Sequence, residues 1–280
     1  MRSTTVSVVL YGSKLYEIDA LLHLLSSNSS IEKWVIVDNG SSDDIQQAVI
    51  RLGGIYIRSK KNVGFGSGHN IALRYLSDVH APYHLILNPD VMFPVDALEK
   101  LSHVMEEFED VGLVMPQVVY PDGSNQYLCK LLPSPVDLLL RRFAPKFICR
   151  LFKNRISTFD LRFFDYTTPA YIPYLSGCFM FLRRGILNSI QGFDERFFLY
   201  MEDLDMCRRI ATLSKLLYWP RVQIVHEHQK ASYKKLRILI LHLAAAVKYF
   251  NKWGWFFDDT RKKVNRDTLV NLSFPVNKQD

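Results

Sequence analysis

With 280 residues, 48% hydrophobic and 22% charged side chains and only 13 Gly and 12 Pro, the chain has the composition of an ordinary globular protein, one large domain or one with a substantial appendage. Collagenous, low-complexity and disordered classes are excluded. The formal net charge is +7, and residues 230–280 hold eleven of the 35 Lys and Arg against four of the 28 acids, so that segment carries the whole excess and residues 1–229 are neutral.

Through residue 120, short β-rich runs alternate with longer runs of helical period. Strands are predicted at 6–10, 34–37, 55–58, 84–87 and 111–115, and helices at 16–25, 45–52, 68–76 and 96–108. Residues 133–172 carry several prolines and little strand pattern, and read as an insertion or lid. Strands follow at 175–182 and 217–225, around a helix near 202–213. From 233 to 250, Leu236, Leu239, Ile240, Leu243, Val247 and Phe250 recur at helical spacing and predict an amphipathic helix. The alternation predicts an α/β fold, a Rossmann-like, mostly parallel sheet flanked by helices, followed by a basic amphipathic helical segment at 230–280. Ligands of such sheets bind beyond the carboxyl ends of the strands.

The longest apolar run, 238–247, is broken by His242 and falls short of the ~20 residues a membrane-spanning helix needs. The apolar start at 6–10 is too short for a secretory signal. Cys129, Cys149, Cys178 and Cys207 form no C-x-x-C pair, which fits reduced thiols in the cytosol. A second basic cluster, including Arg141, Arg142, Arg150, Lys153 and Arg155, interleaves with Leu139, Phe147, Leu151 and Phe152. Such faces suit anionic headgroups and the acyl boundary, whereas a nucleic-acid surface would carry the charge without so much Leu and Phe. A solvated basic face over ordinary core contacts is the plainer alternative.

The loops after the strands carry the chemistry. Asp38 ends a strand and opens the turn Asn39-Gly40-Ser41-Ser42, where a carboxylate can accept from a pyrimidine N–H or a ribose hydroxyl, or simply cap the turn. Asn62-Val63-Gly64-Phe65-Gly66-Ser67-Gly68-His69-Asn70 has three glycines that allow close approach of a ligand to backbone N–H groups. Its spacing is not the dinucleotide fingerprint G-x-G-x-x-G. Asn88-Pro89-Asp90 presents Asp90 at the sheet's rim, where one carboxylate can hold a divalent ion that also binds a diphosphate, Mg2+ or Mn2+. Glu202, Asp203 and Asp205 open a helix: like charges raise one carboxylate's pKa and the helix N-terminus opposes them. Arg208 and Arg209, a turn on, can pair with these acids or reach a diphosphate. His226-Glu227-His228 ends the last strand, and its two histidines point to opposite faces, so one of them is expected beside Asp90.

Taken in order, VSVVLYGS, VDNGSSDD, NVGFGSGHNIA, LNPDV, MPQVVYPDG, SGCFMFLRR, GFDERFFLYMEDLDMCRR, HEHQKASYK and YFNKWGW resemble a family 2 glycosyltransferase of GT-A fold over nearly the whole chain. Within that family the pattern is most similar to bacterial rhamnosyltransferases of O-antigen and other surface polysaccharide. The resemblance implies a nucleotide-binding half at 1–120 and an acceptor-binding half at 121–229. It implies that Tyr11, Asp38, Asn62, Gly66, Gly68, Asn70, Asn88 and Arg209 bind the nucleotide-sugar, that Gly177 and Glu202 flank the acceptor, and that Asp203 is the catalytic base. Asp90, with His226, would hold the metal; Asn88 stands where the family's D-x-D motif has its first acid, which removes one anion.

The Q-x-x-R-W motif of processive synthases and their membrane helices are absent from the sequence, so one sugar per encounter is expected, with inversion at C1. L-rhamnose from dTDP-rhamnose is the expected donor, with a UDP-hexose, a GDP-sugar or sugar nucleotidyl transfer as alternatives; a non-catalytic sugar- or lipid-binding protein is a third reading. The expected partners are the donor, a polyprenyl-diphosphate-linked saccharide and the cytoplasmic face of the inner membrane, where the chain would sit peripherally. No nucleic acid is expected, and an oligomer is left open.

Overall fold

The computed structural model describes residues 3–227 and 236–272. The first half runs β1 (Thr4–Leu10), α1 (Leu15–Ser27), β2 (Ile31–Asp38), α2 (Asp44–Arg51), β3 (Ile55–Arg58), α3 (Phe65–Tyr75), β4 (Tyr83–Leu87), β5 (Val91–Met92), α4 (Ala97–Glu107) and β6 (Val111–Val119). The second runs β7 (Cys129–Lys130), α5 (Pro135–Phe143), α6 (Lys146–Leu151), α7 (Lys153–Phe159), β8 (Ala170–Tyr171), β9 (Tyr174–Leu175), β10 (Phe179–Arg183), α8 (Arg184–Ser189), α9 (Glu202–Ile210) and β11 (Lys215–His226). Helices α10 (Leu236–Trp253) and α11 (Asp259–Asn271) close the described chain.

The central sheet has the order β3-β2-β1-β4-β10-β6-β11-β5, with β8 added against β11. Strands β1 and β4 are buried along their whole length, the consequence of helices covering both faces, so their apolar residues do not alternate with exposed ones and their few polar side chains, Thr4, Thr5, Ser7 and His84, are buried too. Within the core Ser7 Oγ lies 2.7 Å from His69 Nδ1 and 2.9 Å from His84 Nε2, and burial holds both imidazoles neutral. The expected α/β sheet flanked by helices is present, but it is mixed. Strand β10 runs antiparallel between β4 and β6. The expected strand at 175–182 is two: β9 pairs with β7 in a small separate ribbon, and the chain turns at Ser176-Gly177-Cys178 before β10 enters the main sheet.

Residues 133–172 are built into the body rather than laid over it. Ser134 and Asp137 form a capping box with Pro135 in the first turn of α5, and Phe159, Leu161, Phe164 and Tyr166 are buried in the main core. The boundary at 229/230 is likewise no break in packing. Ala245, Tyr249 and Phe250 of α10 bury against Leu132, Phe197, Met201 and Leu204. Arg208 donates to both carboxylate oxygens of Asp258 (2.8 and 3.2 Å) with its guanidinium 4.2 Å from the Trp253 ring. His228, Lys230, Lys234, Lys235 and Lys278 lie outside the described residues. Among the described residues no helix is long and apolar enough to cross a membrane. All four cysteines are free, and Cys129, Cys178 and Cys207 are buried.

Candidate active site

The carboxyl ends of β1, β2 and β4 share one edge of the sheet, and β10 begins there, because Leu10 pairs with Asp38 and Phe179 with Leu87. Asn88-Pro89-Asp90 links β4 to β5, whose Val91 pairs with His226 at the end of β11. The Asn88 amide donates to the Cys178 carbonyl (2.9 Å), and the Asp90 carbonyl accepts from Glu227 N–H (2.9 Å). Ladder pairing thus brings together residues that are far apart in sequence. Asp90 Oδ1 lies 3.3 Å from His226 Nε2, and His226 Nδ1 donates to Gln126 Oε1 (2.9 Å). Burial disfavours charge on His226, but hydrogen bonding to Asp90 and Cys178 outweighs it and lifts its pKa to about 10. Tyr11, Asn88 and Asp90 line one cavity of about 770 Å³, together with Tyr16, Glu17, Phe65 and Glu227.

A second cavity, of about 470 Å³, has Glu202 and Asp203 in its wall. Tyr200 and Met201, immediately before α9, are both left-handed (φ 70° and 65°), a conformation costing about 1–3 kcal/mol for each non-glycine residue. That turn delivers the two acids to the start of the helix. Asp203 Oδ2 accepts from Gly177 N–H (3.1 Å) and the Tyr174 hydroxyl (3.2 Å), and Oδ1 from Leu204 N–H (2.8 Å). Burial raises its pKa above the usual aspartate value against those donors. Glu202 is more extreme: it is buried, its Oε2 has no hydrogen-bond partner, and burial together with the Asp203 charge pushes its pKa well up. Glu202 therefore keeps its proton and Asp203 carries the negative charge. A Cβ on Gly177 would stand 3.0 Å from the Asp203 Cβ and 3.6 Å from Phe65, which borders the first cavity. Phe65 of the first cavity and Asp203 of the second thus both lie close to Gly177.

Tyr11, Asn88, Asp90, Glu202 and Asp203 line the two cavities, while His226 touches Asp90 and Gly177 touches Asp203. Six other expected residues line neither cavity. Asp38 is fully buried: Oδ1 accepts from Gly40 N–H (2.9 Å) and Ser41 N–H (2.7 Å), and Oδ2 from the Tyr56 hydroxyl. Burial works against its charge, but those donors prevail and hold the carboxyl below its usual pKa, so it builds the turn. Asn62 accepts from Gly64 N–H (2.9 Å) in the turn before α3. The glycines admit the protein itself rather than a ligand. At Gly64 (φ 88°) a Cβ would meet the Phe198 carbonyl oxygen at 2.0 Å, at Gly66 Phe193 at 2.9 Å and at Gly68 Val9 at 2.8 Å. Asn70 clamps Phe193 with two 2.8 Å hydrogen bonds to its backbone. Arg209 donates to Asp205 (2.8 Å) and to the Ile190 carbonyl (2.7 Å), so its charge is held within the fold by i, i+4 pairing.

Four further residues belong to the site: Lys130 and Tyr174 carried no readable signal, Phe65 was legible only as part of the glycine loop and Arg141 only as part of a basic cluster. Lys130 and Tyr174 face the second cavity only because two-residue strands pair them across the β7–β9 ribbon. For a divalent cation, Asp90 offers an oxygen and His226 a nitrogen once its Nε2 proton has left. Among the described residues no three His, Cys, Asp or Glu side chains converge on a metal position. The pair therefore fits a hard ion only if a ligand supplies most of the oxygens.

The chain belongs to glycosyl transferase family 2, whose profile it matches over residues 6–190. Rhamnosyltransferase WbbL of Escherichia coli K12 is 25% identical over 255 residues, covering 87% of this chain and 91% of that one. An N-acetylglucosaminyl-diphospho-decaprenol L-rhamnosyltransferase of Mycobacterium tuberculosis is 26% identical over 209 residues, or 69% of this chain; the match spans 65% of the mycobacterial protein's length. The GT-A fold is shared with the crystal structure of GalNAc-T7 with UDP, GalNAc and Mn2+ (TM-score 0.62, 13% identity), over 90% of this chain and 48% of that one.

Proposed function

We propose that the protein is an inverting, non-processive glycosyltransferase that moves L-rhamnose from dTDP-rhamnose onto a polyprenyl-diphosphate-linked saccharide during O-antigen or other surface polysaccharide assembly. The observation that carries this reading is the Asp203 carboxylate in the wall of the second cavity, beside the Gly177 that also neighbours Phe65 of the Asp90 cavity. The names of the two rhamnosyltransferase relatives support the donor sugar, and the mycobacterial one's name supports a lipid-linked acceptor.

In this mechanism the donor occupies the cavity of Tyr11, Asn88 and Asp90, and the acceptor that of Glu202 and Asp203. Asp203 takes the proton of the acceptor hydroxyl as its oxygen attacks C1 of the sugar from the face opposite the nucleotide, so configuration inverts. Glu202, kept neutral, can donate its proton in a hydrogen bond to a neighbouring sugar hydroxyl. Tyr174 and the Gly177 amide fix the base's orientation. Asp90 and His226 are the residues that would hold a divalent cation, Mg2+ or Mn2+, which when bound neutralises charge on the leaving diphosphate. Exposed Leu139, Phe147 and Leu151 on α5 and α6, and Ile240, Leu243 and Val247 on α10, support peripheral attachment to the cytoplasmic face of the inner membrane.

The test is a donor panel of dTDP-rhamnose, UDP-hexoses and GDP-sugars with an isoprenoid-diphosphate glycoside as acceptor. Nucleoside diphosphate release should be fastest with dTDP-rhamnose. Faster release from another donor would reassign the sugar, and release of pyrophosphate would replace glycosyl by nucleotidyl transfer. Sedimentation with anionic liposomes at low salt checks the membrane surface; a protein left in the supernatant removes that part.

A further inference from the structure

We infer that Lys130 and Arg141 form the seat for the acceptor's own diphosphate. The inference rests on the lipid-linked reading of the acceptor and adds to it the position of the anion.

The geometry comes from the ribbon. Lys130 and Tyr174 are register partners, and the Lys130 ammonium lies 5.8 Å from the centre of the Tyr174 ring, whose hydroxyl donates to Asp203 (3.2 Å). Tyr174 thus lies beside both the cation and the candidate base. Charge argues the same way. Among the described residues no acid lies within ion-pair distance of Lys130, and burial, followed by repulsion from Arg141, lowers its pKa to about 8 against the weaker attraction of Asp160 and Asp203. Arg141, in the same wall, shares Asp160 (3.3 Å) with Arg162 (3.6 Å). Two cations line this one cavity, and together they can hold an anion with several oxygens. The remaining wall is suited to the isoprenoid: Pro133, Leu138, Met201 and Leu204 line it, and α5 and α10, which border it, expose Leu139, Ile240 and Leu243.

The test titrates farnesyl diphosphate, farnesol and inorganic pyrophosphate by calorimetry into the full chain saturated with nucleoside diphosphate, so that the donor cavity is filled. Farnesyl diphosphate should bind at least tenfold more tightly than either fragment. Lys130→Met and Arg141→Gln should each weaken it tenfold or more, with Lys130→Arg restoring most of the loss and unchanged melting curves excluding misfolding. Binding indifferent to both substitutions, or farnesol binding as tightly as the diphosphate, overturns the seat. So does complete competition by vesicles of anionic phospholipid, which would assign the cations to a headgroup. Kinetics separates the seat from its parent reading. Equal transfer to neutral alkyl glycosides and to isoprenoid-diphosphate glycosides overturns the seat alone. No transfer to either, with Lys130-dependent farnesyl diphosphate binding intact, sinks glycosyl transfer and leaves the seat standing.

Discussion

The two cavities treat their charges differently. In the first, Asp90 faces a protonated His226 of the same chain, so its carboxylate is balanced before any ligand arrives. In the second, burial and the Asp203 charge favour the protonated form of Glu202, and Lys130 forms no ion pair, feeling Asp160 and Asp203 only at longer range. A balanced site binds a ligand that brings its own compensating ion; an unbalanced one favours a ligand that brings the missing charge. This is the pattern expected when the leaving group departs from one side of Gly177 and the nucleophile approaches from the other.

The comparison breaks most sharply at Asp203. Asp203→Asn keeps the shape and the hydrogen bond from Gly177 but removes the base, so kcat should fall ~10²–10⁴-fold while nucleoside diphosphate affinity changes little. A single-turnover assay beside a binding titration checks both halves. Wild-type turnover would remove Asp203 from the role.

Next is the clamp behind the second cavity. Arg208 on α9 and Asp258 at the start of α11 form a buried two-pronged pair, also reached by the Tyr249 hydroxyl (3.2 Å). Asp258→Ala strands the arginine and should cost about 3–5 kcal/mol in denaturant unfolding. Because α10 supplies His242 to the second cavity and no residue to the first, acceptor KM should rise in this variant at temperatures where it stays folded, with donor KM nearly unchanged. Equal damage to both constants would mean that the cavities are not mechanically separate.

A pH profile probes the same asymmetry more gently. Lys130 loses its proton near pH 8, so kcat/KM for a diphosphate-linked acceptor should be level below that pH and fall about tenfold per unit above it. A neutral alkyl glycoside should show no such break. Parallel breaks for both acceptors would place the titrating group elsewhere.

These contrasts mark how far the sequence could be read. The strand–helix alternation, Asp90 after a strand and Asp203 at a helix start are local signals, set by residues within a few positions of one another. The glycine loop shows what local signals omit: the spacing at Gly64, Gly66 and Gly68 says that something comes close, and only tertiary structure reveals Phe198, Phe193 and Val9 there. Arg208 and Arg209 are adjacent and chemically identical, yet one clamps α11 and the other pairs with Asp205, because successive helix residues point about 100° apart. Lys130 had no signal at all, since a two-residue strand has no period and its partner lies in a distant segment.

The smallest expected effect is the most discriminating. Glu202 and Asp203 are neighbours with the same functional group, and only their surroundings assign their roles: three donors hold Asp203 as an anion, while Glu202 Oε2 is buried with none. If Glu202 already carries its proton, Glu202→Gln replaces one neutral hydrogen-bonding group by another of the same shape, and kcat should stay within a few-fold of wild type across neutral pH. The acid limb of the kcat profile, set by Asp203, should stay in place, since protonated Glu202 and the amide carry the same charge there. A loss in Glu202→Gln as large as that in Asp203→Asn would mean that the negative charge resides on Glu202, and the two acids would exchange roles.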